Sequence, residues 1–453
     1  MSKLAENYQR FEFLPFESHG HQTTFHYRLS GDRVAPIDFC EQITWPAALP
    51  APDPMRAEMQ QALRNVQLVL GISYYKSCCP KEIIIHGALP NEQEAQFWDQ
   101  LYTVGLGEFY YRNQLDPRGR VHFPWQAVSR PLLSCPEPVG EKVLLLIGGG
   151  KDSAVSYEII REAGVEVALF SLGNAPWIKR LAAAFAAQHY VAGRQLDAKL
   201  FALNASGAYN GHIPISACIA FVSLVVALCG GYRAVIASNE RTASYGNLHW
   251  LGMEINHQWS KSLQFEQSLQ SLQRGLFVHA PDYFSLLRSL SELAICGLFA
   301  RRLRYFNNFT SCNANFQLKD TSQTPRWCGR CPKCLFVYLM MAPHLNAERL
   351  QSIFAGDFLR DAANMPLLEE LAGIRGHKPF ECVGTPEEVL AALSQLYRQG
   401  RLQGSELQEF YEERLQVKVV DAQRLWQEQM AAGGESSVTP LWQRRLDDYL
   451  RAH

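Results

Sequence analysis

Val143-Leu144-Leu145-Leu146-Ile147-Gly148-Gly149-Gly150-Lys151-Asp152-Ser153 runs from an apolar strand through three glycines into the start of a helix. A turn of this kind suits an anion. Glycines let the backbone approach closely and aim several N–H groups at one point, and the helix that follows adds the positive end of its dipole. Asp152 is placed to hold a magnesium ion and Ser153 to donate to a phosphate oxygen; Lys151 completes the run. The spacing is neither that of the Walker loop, with four residues between its first glycine and Gly-Lys-Ser/Thr, nor G-x-G-x-x-G.

The segments downstream of this loop alternate strand and helix, the pattern of a parallel sheet covered on both faces. Helix Ser153 to Glu162 closes at Gly164, and strand Val165 to Ser171 follows. Pro176 opens an alanine-rich helix reaching Gln188, and His189 to Ala192 reads as a short strand. The apolar run Ile213 to Cys229, broken by Pro214 and Ser216, reads as a buried helix rather than a membrane span, and Arg233 to Ser238 as the next strand. In doubly wound sheets ligands sit at the carboxyl ends of strands. The Gly148 loop, Ser171 and Ser238-Asn239-Glu240-Arg241 are therefore expected to face one crevice, with Asn210-Gly211-His212 beside them.

Residues 1–135 read differently. Phe11, Phe13 and Phe16, then Phe25, Tyr27 and Leu29, alternate with polar residues around Ser18-His19-Gly20-His21, predicting a hairpin with one buried face. A helix through Met59, Leu63, Val66 and Leu70, a strand from Glu82 to His86 and a helix from Glu92 to Val104 complete a separate N-terminal α+β domain, bounded by the proline-rich stretch from Ser134 to Gly140. The catalytic domain is expected over 141–345 and a helical region over 346–453. In that tail Thr385-Pro386-Glu387-Glu388 is a capping box, and Val389, Leu393, Leu396 and Tyr397 form its apolar stripe.

With 47% hydrophobic and 19% charged residues, the 453-residue chain is too apolar for disorder and long enough for two or three domains. Its 43 basic and 44 acidic residues leave no basic excess, which argues against a nucleic-acid substrate. The opening residues show no basic-then-apolar leader, so the expected location is cytoplasmic, and twelve cysteines are read as thiols, metal ligands or catalysts rather than disulfides. Cys328, Cys331 and Cys334 follow C-x2-C-x2-C spacing with Cys312 upstream; four such thiolates suit tetrahedral zinc in a structural site, although spacing alone admits iron–sulfur or no ligand.

Gly148 to Ser153 resembles the Ser-Gly-Gly-x-Asp-Ser signature of the PP-loop ATP pyrophosphatases, with Gly148 in place of the first serine. That resemblance implies a doubly wound α/β domain that binds ATP and Mg2+ through Gly148, Gly149, Gly150, Lys151, Asp152, Ser153 and Ser171 and transfers AMP to a substrate oxygen. Nitrile-forming members of that superfamily carry a similar cysteine site. Across nearly its whole length the chain resembles the MurL-type UDP-N-acetylmuramoyl-L-alanyl-L-glutamate epimerases. The resemblance rests on the Phe11-Glu12-Phe13 region, the Gly148 loop, Asn210-Gly211-His212-Ile213-Pro214, Ser238-Asn239-Glu240-Arg241, the cysteine run and Lys378-Pro379-Phe380-Glu381-Cys382-Val383-Gly384.

It implies inversion of the terminal L-glutamate of UDP-MurNAc-L-Ala-L-Glu in cell-wall precursor synthesis, with ATP giving AMP and pyrophosphate. The physical logic is that adenylation removes the α-carboxylate charge and makes the carbonyl an electron sink, so that the α-proton can leave; inversion then needs acid/base groups. Glu240 (base) and Arg241 (clamp) are the first candidates, followed by His249, Glu254 and His257, while Lys378 and Cys382 are not placed by the sequence. By elimination the N-terminal domain is left to grip the nucleotide-sugar. A PP-loop ligase or sulfur or nitrogen transferase, and a nucleotide sensor without turnover, are the alternatives; the oligomeric state stays open.

Overall fold

A computed structural model describes residues 4–128, 130–138, 140–316, 325–354 and 356–453; Val139 of the expected linker lies outside them. Nine strands form one sheet: β1 (Arg10–His19), β2 (Gln22–Ser30), β3 (Ile37–Thr44), β4 (Glu82–Ile85), β5 (Val143–Leu146), β6 (Val167–Leu172), β7 (His189–Gln195), β8 (Ala234–Ala237) and β9 (Asp282–Ser285). Their order is β9-β8-β5-β6-β7-β3-β2-β1-β4. From β9 to β7 every neighbouring pair is parallel. The chain leaves β5 toward β6 and β7 on one side and toward β8 and β9 on the other, so strand order reverses between β5 and β8. The doubly wound arrangement expected from the glycine loop is present, and its switch point puts that loop beside Ser238 to Glu240.

Both faces of the parallel block are buried, which is why β5 reads as an unbroken apolar run. Val143 and Leu145 enter one core with helices α4 (Lys151–Glu162), α7 (Glu292–Ala300), α8 (Pro332–Met341), α9 (Pro386–Arg398) and α10 (Pro440–Ala452). Leu144 enters the other with α1 (Ala57–Leu70), α2 (Glu92–Thr103), α5 (Ile215–Gly230) and α6 (Leu263–Leu276). A short helix, α3 (Gly107–Asn113), follows α2. The α5 segment is the buried helix expected, and no helix among the described residues is long and apolar enough to cross a membrane.

Two sequence expectations need correction. The N-terminal strands do not make a sheet of their own: β3 pairs antiparallel with β7 through Gln42, Ile43 and Thr44, and the hairpin β1–β2 extends the same sheet. The hairpin's buried Phe11, Phe13, Phe25 and Tyr27 belong to the same core as Leu144 and α5. The second concerns the alanine-rich helix, which spans Pro176–Ala182 and stops short of Gln188. Phe185 stacks on Tyr157 at 4.5 Å and the Ala186 N–H donates to the Tyr157 hydroxyl, so packing turns the chain into β7 against the helix preference of its alanines.

Candidate active site

The glycine loop stands open at the carboxyl end of β5. Gly149 has φ of +84°, a left-handed conformation that favours glycine, and its carbonyl accepts from the Thr310 N–H. A Cβ on Gly148 would meet nothing within 4 Å, so this face of the loop opens onto free space. Gly150 caps α4 without a side-chain hydrogen bond, leaving first-turn N–H groups of a twelve-residue helix for an anion. Ser153 Oγ donates to the Gly150 carbonyl, tying the loop to its helix. These features fit a phosphate cradle.

Lys151 does not reach out of the loop. Its side chain is 0% exposed, and the ammonium lies between Asp152 Oδ1 at 2.5 Å and the Glu292 carboxylate. Glu292 also accepts from Lys333 Nζ at 2.8 Å, so one buried carboxylate bridges two lysines from different elements. Burial opposes its ionisation, but the two ammoniums hold Glu292 well below the ordinary carboxylate range. Glu388, the capping-box residue, accepts from the Thr385 and Glu292 N–H groups and is raised to about 7 by burial. Glu240 is buried at the end of β8 beside this network; burial and the Glu292 charge raise its pKa, while Lys261 and Lys333 pull the other way.

A second cluster adjoins the first through Lys261. Its Nζ donates to Cys382 Sγ at 3.1 Å. The His257 imidazole lies beside the same thiol and, through Nδ1, hydrogen-bonds Glu108 Oε2 at 2.5 Å. Glu108 projects from α3, is buried, and takes Arg112 Nε at 2.6 Å. Burial would raise the Cys382 thiol, yet Lys261 and His257 bring it down to about 5. Burial likewise disfavours charge on His257, but Cys382 and Glu108 raise it to about 9, giving a thiolate–imidazolium pair. His212 lies over His257 with ring centroids 4.3 Å apart and is pushed down to about 3 by burial and the His257 charge. Lys378, lowered by its own burial, donates to the Tyr245 carbonyl at 3.2 Å.

The structure thus brings Glu240, Asp152 and the glycines of the expected site together at the strand ends, puts His257 in the adjoining cluster, and leaves others out. Arg241 turns away from Glu240, its Nη1 reaching the carbonyls of Ala431 and Gly433 at 3.5 and 3.4 Å. His249 and Glu254 face each other across the short hairpin Leu248–Trp250/Met253–Ile255, both exposed, and Glu254 accepts from the Gly246 N–H. The adjacent spacing in sequence misled because the hairpin carries these two outward while Asn256 and His257 turn in. Ser171 is engaged at the end of β6 with the Gly173 carbonyl and His189 Nε2. Sequence reasoning missed Glu108, Lys261 and Glu292, which have no motif around them, and also Lys333. The C-P-K-C spacing did mark the segment that carries Lys333.

Cys312, Cys328, Cys331 and Cys334 place their sulfurs within 4.8 Å of one another, with Cys328 and Cys334 Sγ 3.7 Å apart. A tetrahedron with Zn–S bonds of about 2.3 Å has an edge of about 3.8 Å, so the donor set fits one zinc ion. Cys331 caps α8 and thereby fixes the loop to the helix that delivers Lys333.

The pattern of the MurL N-terminal domain matches residues 2–286, and that of the MurL C-terminal domain matches residues 308–425. A protein of Micromonospora sp. named UDP-N-acetyl-alpha-D-muramoyl-L-alanyl-L-glutamate epimerase is 42% identical over 382 residues, covering 83% of this chain and 84% of its own length. Proteins of the same name from Salinispora tropica and Xanthomonas oryzae pv. oryzae are 41% and 37% identical, over 83% and 85% of this chain and 82% and 86% of their own. With both domain patterns met along the chain and relatives matched over more than four-fifths of their length, this chain belongs to the MurL family.

Proposed function

We propose that the protein inverts the terminal L-glutamate of UDP-MurNAc-L-Ala-L-Glu, spending ATP to form an acyl-adenylate and releasing AMP and pyrophosphate. The name shared by its relatives supports the substrate, and the PP-loop-like cradle supports the activation. The observation that carries the mechanism is the junction of two clusters: a phosphate cradle at residues 148–153 and, across Glu240 and Lys261, a set of paired acid/base groups.

ATP binds with its phosphates on the Gly148–Gly150 backbone and the α4 N-terminus, and Asp152 holds the accompanying Mg2+. Lys151 acts from inside, fixing Asp152 and Glu292 rather than touching phosphate. The substrate carboxylate attacks the α-phosphorus, and the loss of its charge lets the adjacent α-proton leave. Glu240, kept basic by burial, is the group on the strand end nearest the loop able to take that proton. Zinc, where bound, is structural: four thiolates leave no open coordination position, and its task is to hold the α8 start that presents Lys333.

Substrate-dependent exchange of labelled pyrophosphate into ATP tests the activation step. Asp152→Ala removes the metal-facing carboxylate and should abolish exchange, whereas near-normal exchange in that variant rejects the cradle as the ATP site.

A further inference from the structure

Resting on the adenylation reading above, we propose that Cys382 attacks the adenylated carbonyl and carries the glutamyl residue as a thioester while its α-carbon inverts. The geometry is that of an activated nucleophile: thiol and imidazole within hydrogen-bond reach, and the imidazole oriented by a third group. Cys382 Sγ meets Lys261 Nζ at 3.1 Å and His257, and His257 Nδ1 meets Glu108 Oε2 at 2.5 Å. Three elements remote in sequence supply these parts. Each is tied down independently of the thiol: Asn247 Nδ2 donates to the Lys378 and Pro379 carbonyls, Gln258 Nε2 to Val383, and Asn247 Oδ1 accepts from the His257 N–H.

A half-buried Cys–His–Glu set next to a lysine is more than packing requires. An apolar side chain would fill the same volume without desolvating two ionic pairs. The thiol adjoins the activation site through direct contacts: Arg288 donates to the carbonyls of both Glu240 and Lys261 at 2.9 and 2.7 Å, and the Lys333 N–H donates at 3.0 Å to Glu381, the residue before Cys382. A carbonyl activated beside the glycine loop therefore has this sulfur as its neighbour.

The step balances without a redox partner. The Sγ lone pair forms a C–S bond to the carbonyl carbon, the C–O bond to the AMP phosphate breaks, and its electron pair leaves with AMP. Acylation removes the negative sulfur that held the proton on His257, so the imidazole gives that proton to solvent. The thioester carbonyl remains an electron sink; Glu240 takes the α-proton, and a solvent-derived proton is delivered to the opposite face. Water then attacks, passing one proton to the neutral His257; the C–S bond breaks with its electron pair restoring the thiolate, and the freed D-glutamyl carboxyl group gives its remaining proton to solvent.

The test uses the full chain with ATP, Mg2+ and UDP-MurNAc-L-Ala-L-Glu, quenched in acid and digested. Expected is a peptide spanning Cys382 heavier by the substrate less one water, more abundant in His257→Ala, where hydrolysis slows. Cys382→Ser and Cys382→Ala should keep pyrophosphate exchange, which also reports correct folding, while D-glutamyl formation falls by at least about a thousandfold. Exchange with no adduct in either wild type or His257→Ala, or near-normal inversion by Cys382→Ala, overturns the thioester while leaving adenylation standing. Absence of exchange in wild type overturns the adenylation reading and the thioester with it.

Discussion

At the scale of single residues, the site is governed by which charges are left facing one another once water is excluded. The Cys382 thiol, ordinarily at 9.0, is brought to about 5 against its own burial by Lys261 and His257. His257, ordinarily at 6.5, moves up to about 9 for the reciprocal reason. The thiol's folded pKa is depressed, so its contribution to stability is complete above 9 and lost as pH falls through about 5. The imidazole's is raised, so its contribution is complete below 6.5 and lost as pH rises through about 9. The ion pair therefore exists between those limits. Alkylation of Cys382 by iodoacetamide should titrate with a midpoint near 5 in the wild type and shift upward in Lys261→Met; a midpoint that stays put would show that Lys261 does not hold the thiolate. None of this is legible in the sequence, since Glu108, His257 and Cys382 are 149 and 125 positions apart and meet only through the fold.

At the scale of elements, sequence reading succeeded where local chemistry and tertiary position agree. The glycine loop, its flanking strand and helix, and the Thr385 capping box all lie where expected, because glycine φ, apolar run and cap are short-range signals. It failed where packing decides: the helix from Pro176 ends early on the Tyr157 ring, and the hairpin with His249 and Glu254 faces outward. Beyond capping its own helix, Glu388 also accepts from the N-terminus of α7 and so sets the position of Glu292. For the cysteine loop the sulfur spacing predicts about one zinc per chain by elemental analysis. Cys328→Ser should lose that metal and lower the melting temperature. Iron in its place, with the absorbance of a cluster, would contradict the assignment.

At the scale of the whole molecule, the two halves share one sheet and the core on its Leu144 face, and the join is electrostatically explicit. Arg194 of β7 donates to Glu41 of β3 at 2.5 Å, with Glu41 0% exposed. Arg194 also reaches Ser73 of the N-terminal half. Arg194→Met leaves that carboxylate buried and unpaired and should cost about 3–5 kcal/mol in denaturant unfolding, with much of it recovered when Glu41 is replaced by an apolar residue of similar size. A loss below about 0.5 kcal/mol would mean that the join is not a point of coupling. The proline-rich stretch near residue 135 reads as a domain boundary because hairpin alternation and parallel-strand runs look different locally; the β3–β7 pairing joins them in one sheet. That continuity matters for chemistry, since α3 of the N-terminal half delivers Glu108 to His257.

In the proposed reaction, ATP-driven activation at the glycine loop and inversion at the neighbouring charge cluster are steps of one cycle. Incubating the protein with ATP, Mg2+ and UDP-MurNAc-L-Ala-L-Glu in deuterated water measures both together. Expected is D-glutamyl product carrying one deuterium at the α-carbon, with one AMP and one pyrophosphate formed per inversion. Inversion without AMP, or a product heavier by added nitrogen or sulfur, would contradict it.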